Sequence, residues 1–161
     1  MVSPDEALAR LREGNDRFVR GRSERTDRPV AEATPLVTVL TCVDARVSPE
    51  ILFDLGIGRA YVVRVAGNVA GELELASIDL AVALGTPLVV VLGHTDCKAV
   101  AGALDGRQGP IFDRIREHAS AEDPIAHNAL GNARLVRAAL GGPRVLAAVY
   151  DVETGRVSFF D

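Results

Sequence analysis

Three short runs rich in valine and leucine stand out from an otherwise mixed chain. They cover residues 36–41, 61–65 and 88–92, and the first and third show no alternation of polar and apolar positions. Runs of this length without a polar side are typical of strands that are buried on both faces of a sheet. We therefore predict three strands of a mainly parallel sheet.

Between the runs, apolar positions recur at helical spacing. A first helix is predicted from Ser3, a suitable N-cap, to about Arg20, and the polar residues 21–35 are predicted to form a connecting loop. Prolines near the start and glycines just past the end mark most of the later helices. These are predicted at residues 49–55, 72–84, 110–119 and 124–140.

The chain closes with two further apolar runs, residues 144–150 and 156–160, that predict a hairpin-like pair of strands. Strands that alternate with helices indicate an α/β fold: a three-layer sandwich with a central, mainly parallel sheet and helices on both faces. The N-terminal helix is an arm on this core. We expect one domain over residues 1–161, with the arm and loop in 1–35 and the core in 36–161.

Composition narrows the classes of partner. The 161 residues are 48% hydrophobic and 25% charged, with a net charge of −4. An acidic chain argues against nucleic acid or an anionic membrane surface as partner, because both require a basic face. No apolar run approaches the ~20 residues of a membrane span, and the first residues lack the pattern of a signal peptide. We expect a cytoplasmic protein whose two cysteines are thiols or metal ligands.

Two polar clusters occur at the ends of predicted strands. Cys42, Asp44 and Arg46 follow the first strand, and His94 and Cys97 follow the third. Ligands in open α/β sheets gather beyond the carboxyl ends of strands, where the strand order reverses. If the two strands are neighbours, both clusters meet in one crevice.

The residue types in these clusters suit zinc. Two thiolates, an imidazole and a carboxylate provide four ligands from Cys42, Asp44, His94 and Cys97, and soft sulfur ligands favour zinc over magnesium or calcium. Because Arg46 is an alternative partner for the Asp44 carboxylate, the set favours catalytic over structural zinc. Taken singly, a cysteine at a strand end is usually a small hydrophobic residue, and an Asp–Arg pair usually contributes little.

The chain resembles the β-class carbonic anhydrases. Residues 42–46 (Cys-Val-Asp-Ala-Arg) and 94–97 (His-Thr-Asp-Cys) match the two motifs of that family. Residues 13–18 resemble its Gly-Asn-x-Arg-Phe segment, 63–68 its Arg-x-Ala-Gly-Asn segment and 150–155 its closing hairpin. The matches run in family order from the first helix to the last strand.

The resemblance implies a mechanism. Cys42, His94 and Cys97 would hold one zinc ion per chain, and zinc-bound hydroxide would attack carbon dioxide to give bicarbonate and a proton. Asp44, held by Arg46, would accept a hydrogen bond from the bound water. In some members of the family the aspartate instead binds zinc and displaces water, and the sequence leaves open which state Asp44 adopts.

The resemblance also implies a homodimer or a larger oligomer, with the active cleft at the subunit interface. The N-terminal helix, through Leu11 and Phe18, packs either on a partner or on the core of its own chain. Lys98 stands where the family usually has glycine, and it either stabilises the Cys97 thiolate or points into solvent. The segment after Cys97 is shorter than in larger members.

Two other functions stay open on the sequence. A zinc hydrolase of carbon disulfide or carbonyl sulfide would use the same ligands, and a related zinc-binding protein would have lost catalysis. Thiol redox chemistry is disfavoured because no Cys-x-x-Cys pair occurs, and esterase chemistry because no Gly-x-Ser-x-Gly elbow occurs. His118 and His127 are expected to have no role in the site.

Overall fold

The computed structural model describes residues 2–119 and 122–160, and its centre is a five-stranded sheet. The strands lie side by side in the order β2-β1-β3-β4-β5, and β5 alone runs antiparallel to its neighbour. This confirms the mainly parallel sheet and the closing hairpin. The bounds are β1 Val37–Thr41, β2 Ala60–Arg64, β3 Leu88–His94, β4 Arg144–Tyr150 and β5 Val157–Phe160.

Six α-helices lie in the described residues, and five of them match predicted helices. The side chain of Ser3 accepts a hydrogen bond from the amide of Glu6 and begins the first helix, as predicted. Within the described part of the chain, none of the helices is both long and apolar enough to cross a membrane. The bounds are α1 Pro4–Val19, α2 Pro49–Leu52, α3 Glu72–Ala83, α4 Lys98–Leu104, α5 Pro110–Arg116 and α6 Pro124–Leu140.

Three details differ from the sequence prediction. Helix α4 was not predicted, because it is short, contains Gly102 and has no side-chain cap. Helix α2 ends at Leu52, since Asp54 has a left-handed φ of 51°. Strand β3 extends through His94, which pairs with Tyr150. His94 is therefore part of the strand and does not follow it.

The sheet separates two apolar layers, which confirms the three-layer sandwich. Alternate side chains of each strand point to opposite faces. On one face the central strands pack against α1 and α2, and on the other face against α3 and α6. Leu40, Val89 and Val91 contribute to the second face, and all three are fully buried.

The N-terminal helix packs on its own chain. Ala7 and Leu11 are fully buried and belong to the same cluster as residues of β1, β3 and β4. Phe18 is partly buried against that cluster. Of the two alternatives for this helix, packing on its own core is the correct one for Leu11.

The strand order places the site. β1 lies between β2 and β3, and all three are parallel, so the carboxyl ends of β1 and β3 are adjacent. The chain passes from β1 to β2 on one side and then crosses to β3 on the other. This is the reversal in strand order at which α/β proteins bind their ligands.

Candidate metal centre

The structure brings three of the four predicted ligand side chains together. Cys42 directly follows β1, His94 ends β3, and Cys97 is the N-cap of α4. Their ligand atoms all lie within 4.8 Å of one another, and all three residues are buried. Cys42 lies 52 or more positions before the other two residues in the sequence and meets them because β1 and β3 are neighbours.

The spacing of the sulfurs fits a tetrahedral zinc site. Cys42 Sγ and Cys97 Sγ are 3.9 Å apart. Zinc–sulfur bonds of about 2.3 Å at a tetrahedral angle place two thiolates about 3.8 Å apart. The two cysteines are free thiols and not a disulfide, so both are available as ligands.

The imidazole of His94 offers one nitrogen to the site. The Thr95 carbonyl lies 2.9 Å from His94 Nδ1 and accepts a hydrogen bond from it. This bond leaves the lone pair on Nε2, which is the tautomer that binds metals. Nε2 is buried, and among the described residues it has no hydrogen-bond partner. A buried nitrogen without a partner next to two thiols fits a metal ligand.

The cysteine pair favours one thiolate over the other. The hydrogen bond from Cys97 lowers the pKa of Cys42, and the backbone amide of Gly67, 3.3 Å from Cys42 Sγ, lowers it further. The same hydrogen bond, together with burial, raises the pKa of Cys97. The hydrogen bond from Gly67 thus favours a thiolate at Cys42.

Asp44 and Arg46 form a pair at the edge of this group. Arg46 donates from Nε to Asp44 Oδ1 at 3.0 Å, from Nη2 to Oδ2 at 2.8 Å, and from its backbone amide to Oδ1 at 2.9 Å. The Arg46 side chain holds the pKa of Asp44 well below its usual range. Asp44 Oδ2 is 4.0 Å from His94 Nε2. The carboxylate therefore faces the ligand atoms while it is bound to Arg46.

The side chain of Lys98 extends into solvent. Its ammonium group donates to Asp96 Oδ1 at 2.6 Å, and its side chain is 77% exposed. Asp96 also accepts from Arg46 Nη1 at 3.1 Å, so it lies between the two cations. Of the two interpretations of Lys98, the solvent-exposed one agrees with this geometry.

Solved structures similar to this chain include β-carbonic anhydrases and a carbon disulfide hydrolase, the latter with a TM-score of 0.60 at 22% identity, over 96% of this chain and 88% of that one. The Coccomyxa β-carbonic anhydrase in complex with acetazolamide superposes with a TM-score of 0.70 at 22% identity, over 96% of this chain and 79% of that one. A tetrameric β-carbonic anhydrase from Sordaria macrospora gives a TM-score of 0.65 at 22% identity, over 80% and 81%. At this identity the likeness shows the fold alone.

The sequence comparisons address the family as well as the fold. The family model described as carbonic anhydrase matches residues 37–134, which carry all the predicted ligands. Carbonic anhydrase 2 of Mycobacterium tuberculosis is 44% identical over 111 residues, or 64% of this chain. The chain belongs to the β-class carbonic anhydrase family. The match spans 54% of the M. tuberculosis protein, so the chain covers about half of that relative's length.

Two residues of this β-class carbonic anhydrase site, Arg64 and Gly67, had no role in the sequence prediction. Arg64, at the end of β2, donates to the backbone carbonyls of Cys42 at 3.2 Å and of Asp44 at 2.7 Å. It thereby fixes the loop that carries both side chains. Gly67 donates to the Cys42 sulfur, as described above. Both residues lie in segment 63–68, whose resemblance to the family's Arg-x-Ala-Gly-Asn segment was the signal that could have identified them.

The two remaining histidines lie outside the group of close ligand atoms. The ring of His118 is packed so closely on Gly131 that a Cβ there would lie 2.2 Å from it, and burial lowers the pKa of His118. His127 is exposed on α6. This placement agrees with the expectation that neither takes part in the site.

A cavity of about 260 Å³ opens beside the thiol of Cys42. Most of its wall is apolar, and two cationic side chains stand at its rim. The guanidinium of Arg107 lies over the ring of Phe112, 5.2 Å from its centroid. The lining residues are Cys42, Val43, Asp44, Ala66, Lys98, Ala99, Arg107 and Phe112.

Proposed function

We propose that this chain catalyses the reversible hydration of carbon dioxide to bicarbonate and a proton. The observation that carries the proposal is the meeting of Cys42, His94 and Cys97 around one point, with the Asp44 carboxylate facing them. Membership of the β-class carbonic anhydrase family supports it. The activity is thus a zinc-dependent lyase reaction on a small uncharged substrate.

The donor set suits one zinc ion per chain. When bound by the two thiolates and the imidazole, zinc would lower the pKa of water and supply hydroxide, though less strongly than in the three-histidine site of other carbonic anhydrases, because two thiolates cancel its charge. The other tasks belong to the protein. Its own side chains must hold the substrate, orient the water and remove a proton.

Asp44 and Arg46 are the proposed catalytic pair. The Asp44 carboxylate is ionised at neutral pH because Arg46 lowers its pKa. An ionised carboxylate only accepts hydrogen bonds, so Asp44 orients a neighbouring water by accepting a hydrogen bond from it. Arg46 holds that carboxylate with three hydrogen bonds and keeps it turned toward the ligand atoms.

Asp44 as a fourth metal ligand is the other proposed state of the same residue. Reaching it requires the carboxylate to exchange its hydrogen bonds with Arg46 for a bond to the metal. The three hydrogen bonds from Arg46 support the catalytic pairing as the resting arrangement. A sharp rise of activity above about pH 8 would indicate that the ligated state is populated at lower pH.

The cavity suits a small apolar substrate. Val43, Ala66, Ala99 and Phe112 provide apolar wall next to Cys42. Carbon dioxide has no net charge and needs no ion pair to enter such a space. The cationic rim formed by Lys98 and Arg107 suits an anionic product that leaves toward solvent.

Stopped-flow measurement of carbon dioxide hydration tests the proposal. Protein of known zinc content is assayed from about pH 6.5 to about pH 9, beside Asp44→Ala and Cys97→Ser. We expect activity that rises with pH and is absent in both variants, with zinc lost chiefly in Cys97→Ser. Full zinc occupancy without activity at any pH would contradict the proposal. Turnover of carbon disulfide or carbonyl sulfide by that same protein would then identify the hydrolase alternative.

We further propose a homodimer that buries the outer face of α3 and β2. Leu73 and Leu80 on α3 and Leu84 directly after it are 77%, 62% and 59% exposed. Ile78 and Ala81 on the opposite side of α3 are buried. A helix that is apolar on both sides is expected to be covered on both. β2 is an edge strand beside it, which offers unpaired backbone groups to a second copy.

Two further assignments complete the proposal. Residues 1–161 form one domain, supported by the burial of α1 in the same core as β1 and β3. The location is cytoplasmic, supported by the need for Cys42 and Cys97 to be reduced before they can bind metal.

A further inference from the structure

A chain of buried amides connects α6 to the Cys42 sulfur. The backbone N–H of Gly67 donates to Cys42 Sγ at 3.3 Å, and the carbonyl of the same residue accepts from Asn128 Nδ2 at 2.8 Å. Asn132 Nδ2 donates to Asn128 Oδ1 at 3.1 Å, and Asn132 Oδ1 accepts from the amide of Ala70 at 2.7 Å. The path thus runs from a backbone amide through two side chains to a predicted metal ligand.

The direction of this path is determined at both ends. The Ala70 N–H can only donate, so it requires the oxygen of Asn132 to face it. The nitrogen of Asn132 must then face the oxygen of Asn128, which leaves the nitrogen of Asn128 for the Gly67 carbonyl. That carbonyl can only accept. Each amide therefore has one orientation that satisfies every partner.

The burial of these groups argues for a specific role. Asn128 and Asn132 are both 0% exposed, on a helix whose other buried residues are mainly alanine and valine. An amide taken out of water without a partner costs about 1–3 kcal/mol. A helix that only needed to pack on the sheet would be better served by apolar residues. The pair instead satisfies the backbone of residues 67–70.

Gly67 has a conformation that needs such support. Its φ is +69°, and Asn68 follows with a φ of +46°. A Cβ on Gly67 would lie 2.5 Å from Ile115 Cδ1, so only glycine fits without a shift. Two successive left-handed residues persist only where their surroundings hold them. The hydrogen bond from Asn128 holds the 67–68 peptide on the carbonyl side of Gly67, and so restrains the turn whose preceding N–H is aimed at sulfur.

We propose that Asn128 is a positioning residue of the metal centre. Its side chain holds the Gly67 carbonyl and thereby the left-handed conformation of Gly67, in which the Gly67 N–H donates to the Cys42 thiolate and reduces the electron density that sulfur gives to the metal. Hydrogen bonds to ligating sulfurs tune a metal site in this way. The inference rests on the zinc site of the proposed function, but its test needs no turnover.

Cobalt-substituted protein provides the readout, since the sulfur-to-cobalt charge-transfer band reports on the sulfur directly. In Asn128→Ala the sulfur loses its hydrogen bond, so we expect the band to move to lower energy. Because the turn at Gly67 beside Cys42 also loses its support, we expect the cobalt Kd to rise about tenfold or more. Asn15→Ala is the matched control. Asn15 is also buried and makes three backbone hydrogen bonds, to Leu52, Gly155 and Val157, that are remote from the cysteines.

The outcomes separate the alternatives. A loss of stability in both variants with a band shift in Asn128→Ala alone supports the proposal. An unchanged band in cobalt-bound Asn128→Ala contradicts the proposal and shows that the hydrogen-bonded amides only stabilise the fold. A wild-type protein that shows no sulfur-to-cobalt band contradicts the metal centre itself. An inactive wild type that shows the band contradicts only the proposed reaction.

A second measurement keeps the test decisive if Asn128→Ala does not fold. In cadmium-substituted wild-type protein, a scalar coupling between the cadmium nucleus and the Gly67 amide proton shows that the N–H···S hydrogen bond exists. We expect this coupling to be present. A cadmium-bound protein in which the Gly67 amide shows no coupling overturns the proposal without any variant.

Discussion

At the scale of single residues, His94 illustrates how one hydrogen bond prepares a ligand. The Thr95 carbonyl accepts from Nδ1 and leaves Nε2 buried beside two thiols. An imidazole held in one tautomer loses little orientational freedom when a metal binds. The imidazole is therefore already oriented as a metal ligand would need to be.

This geometry predicts that His94→Ala loses zinc, while His127→Ala retains it. His94 contributes a buried nitrogen within 4.8 Å of both sulfurs, whereas His127 is exposed on α6. Zinc content of the purified variants, measured by elemental analysis, is the check. Zinc loss in His127→Ala would show that the centre lies elsewhere.

A second residue-scale prediction concerns Arg46→Lys. The guanidinium contacts both oxygens of Asp44 and also Asp96, a geometry that an ammonium group does not reproduce. We expect kcat/KM for carbon dioxide hydration to fall about tenfold or more at unchanged zinc content. Arg59→Lys is the control, because Arg59 is remote and donates to Thr34. Equal activity of both variants would remove Arg46 from the catalytic pair.

At the scale of elements, Asp54 attaches the segment after α1 to the end of α2. Its side chain is 1% exposed and accepts hydrogen bonds from Arg17 Nε, Ser23 Oγ and the amides of Glu24 and Arg25. Burial alone raises the pKa of Asp54, but these hydrogen bonds outweigh it and hold the pKa well below its usual range. One carboxylate thus organises a segment that has no regular structure.

Replacement of this carboxylate predicts a pH-dependent loss of stability. Asp54→Asn keeps the shape and tolerates the left-handed φ, but it removes the charge, so we expect unfolding free energy to fall by about 2 kcal/mol at neutral pH. The folded-state pKa of Asp54 lies below the unfolded value of about 3.9. The wild-type protein therefore has its full excess of unfolding free energy over Asp54→Asn above about pH 3.9, and this excess declines as the pH falls through the folded-state pKa.

Urea unfolding at about pH 7 and about pH 3 measures this difference. Asp27→Asn serves as control, since Asp27 lies in the same region but its side chain is 65% exposed and pairs only weakly with Arg25. A difference in unfolding free energy between wild type and Asp54→Asn that stays constant with pH would contradict the role of the charge.

The predicted bounds of helices and strands are accurate where the local sequence marks the ends of the element. Helices α1 and α6 were predicted well because each has an N-capping side chain, Ser3 and Asp123, and a long apolar stripe. α4 was missed because it has neither a capping side chain nor the N-terminal proline that marks the equally short α5. β3 was underestimated because its last pair, His94 with Tyr150, depends on a strand that lies far away in the sequence.

At the scale of the whole molecule, the apolar face of α3 and β2 predicts the assembly. Leu80→Glu places a charge on a face that a second copy would desolvate, so we expect the dimer to dissociate into monomers. Light scattering coupled to size-exclusion chromatography measures the mass. Leu104→Glu, at the end of α4 and outside this face, should leave the mass unchanged. A wild-type monomer at all concentrations would refute the dimer.

The sequence by itself determined the candidate metal-ligand set and the class of fold. Cys42, His94 and Cys97 are a zinc-type set wherever the chain places them, because thiolate and imidazole preferences belong to the side chains. Strand and helix patterning is equally local, since it depends on the period with which apolar residues recur. These features required no knowledge of distant contacts.

Only the tertiary structure decided how the site is held. The order β2-β1-β3 brings Cys42 and His94 together, and the tautomer of His94 depends on Thr95. The amide chain from Asn128 to Gly67 joins residues 61 positions apart. Such contacts arise from packing one element on another in three dimensions, and the spacing of residues along the chain carries no direct record of that packing.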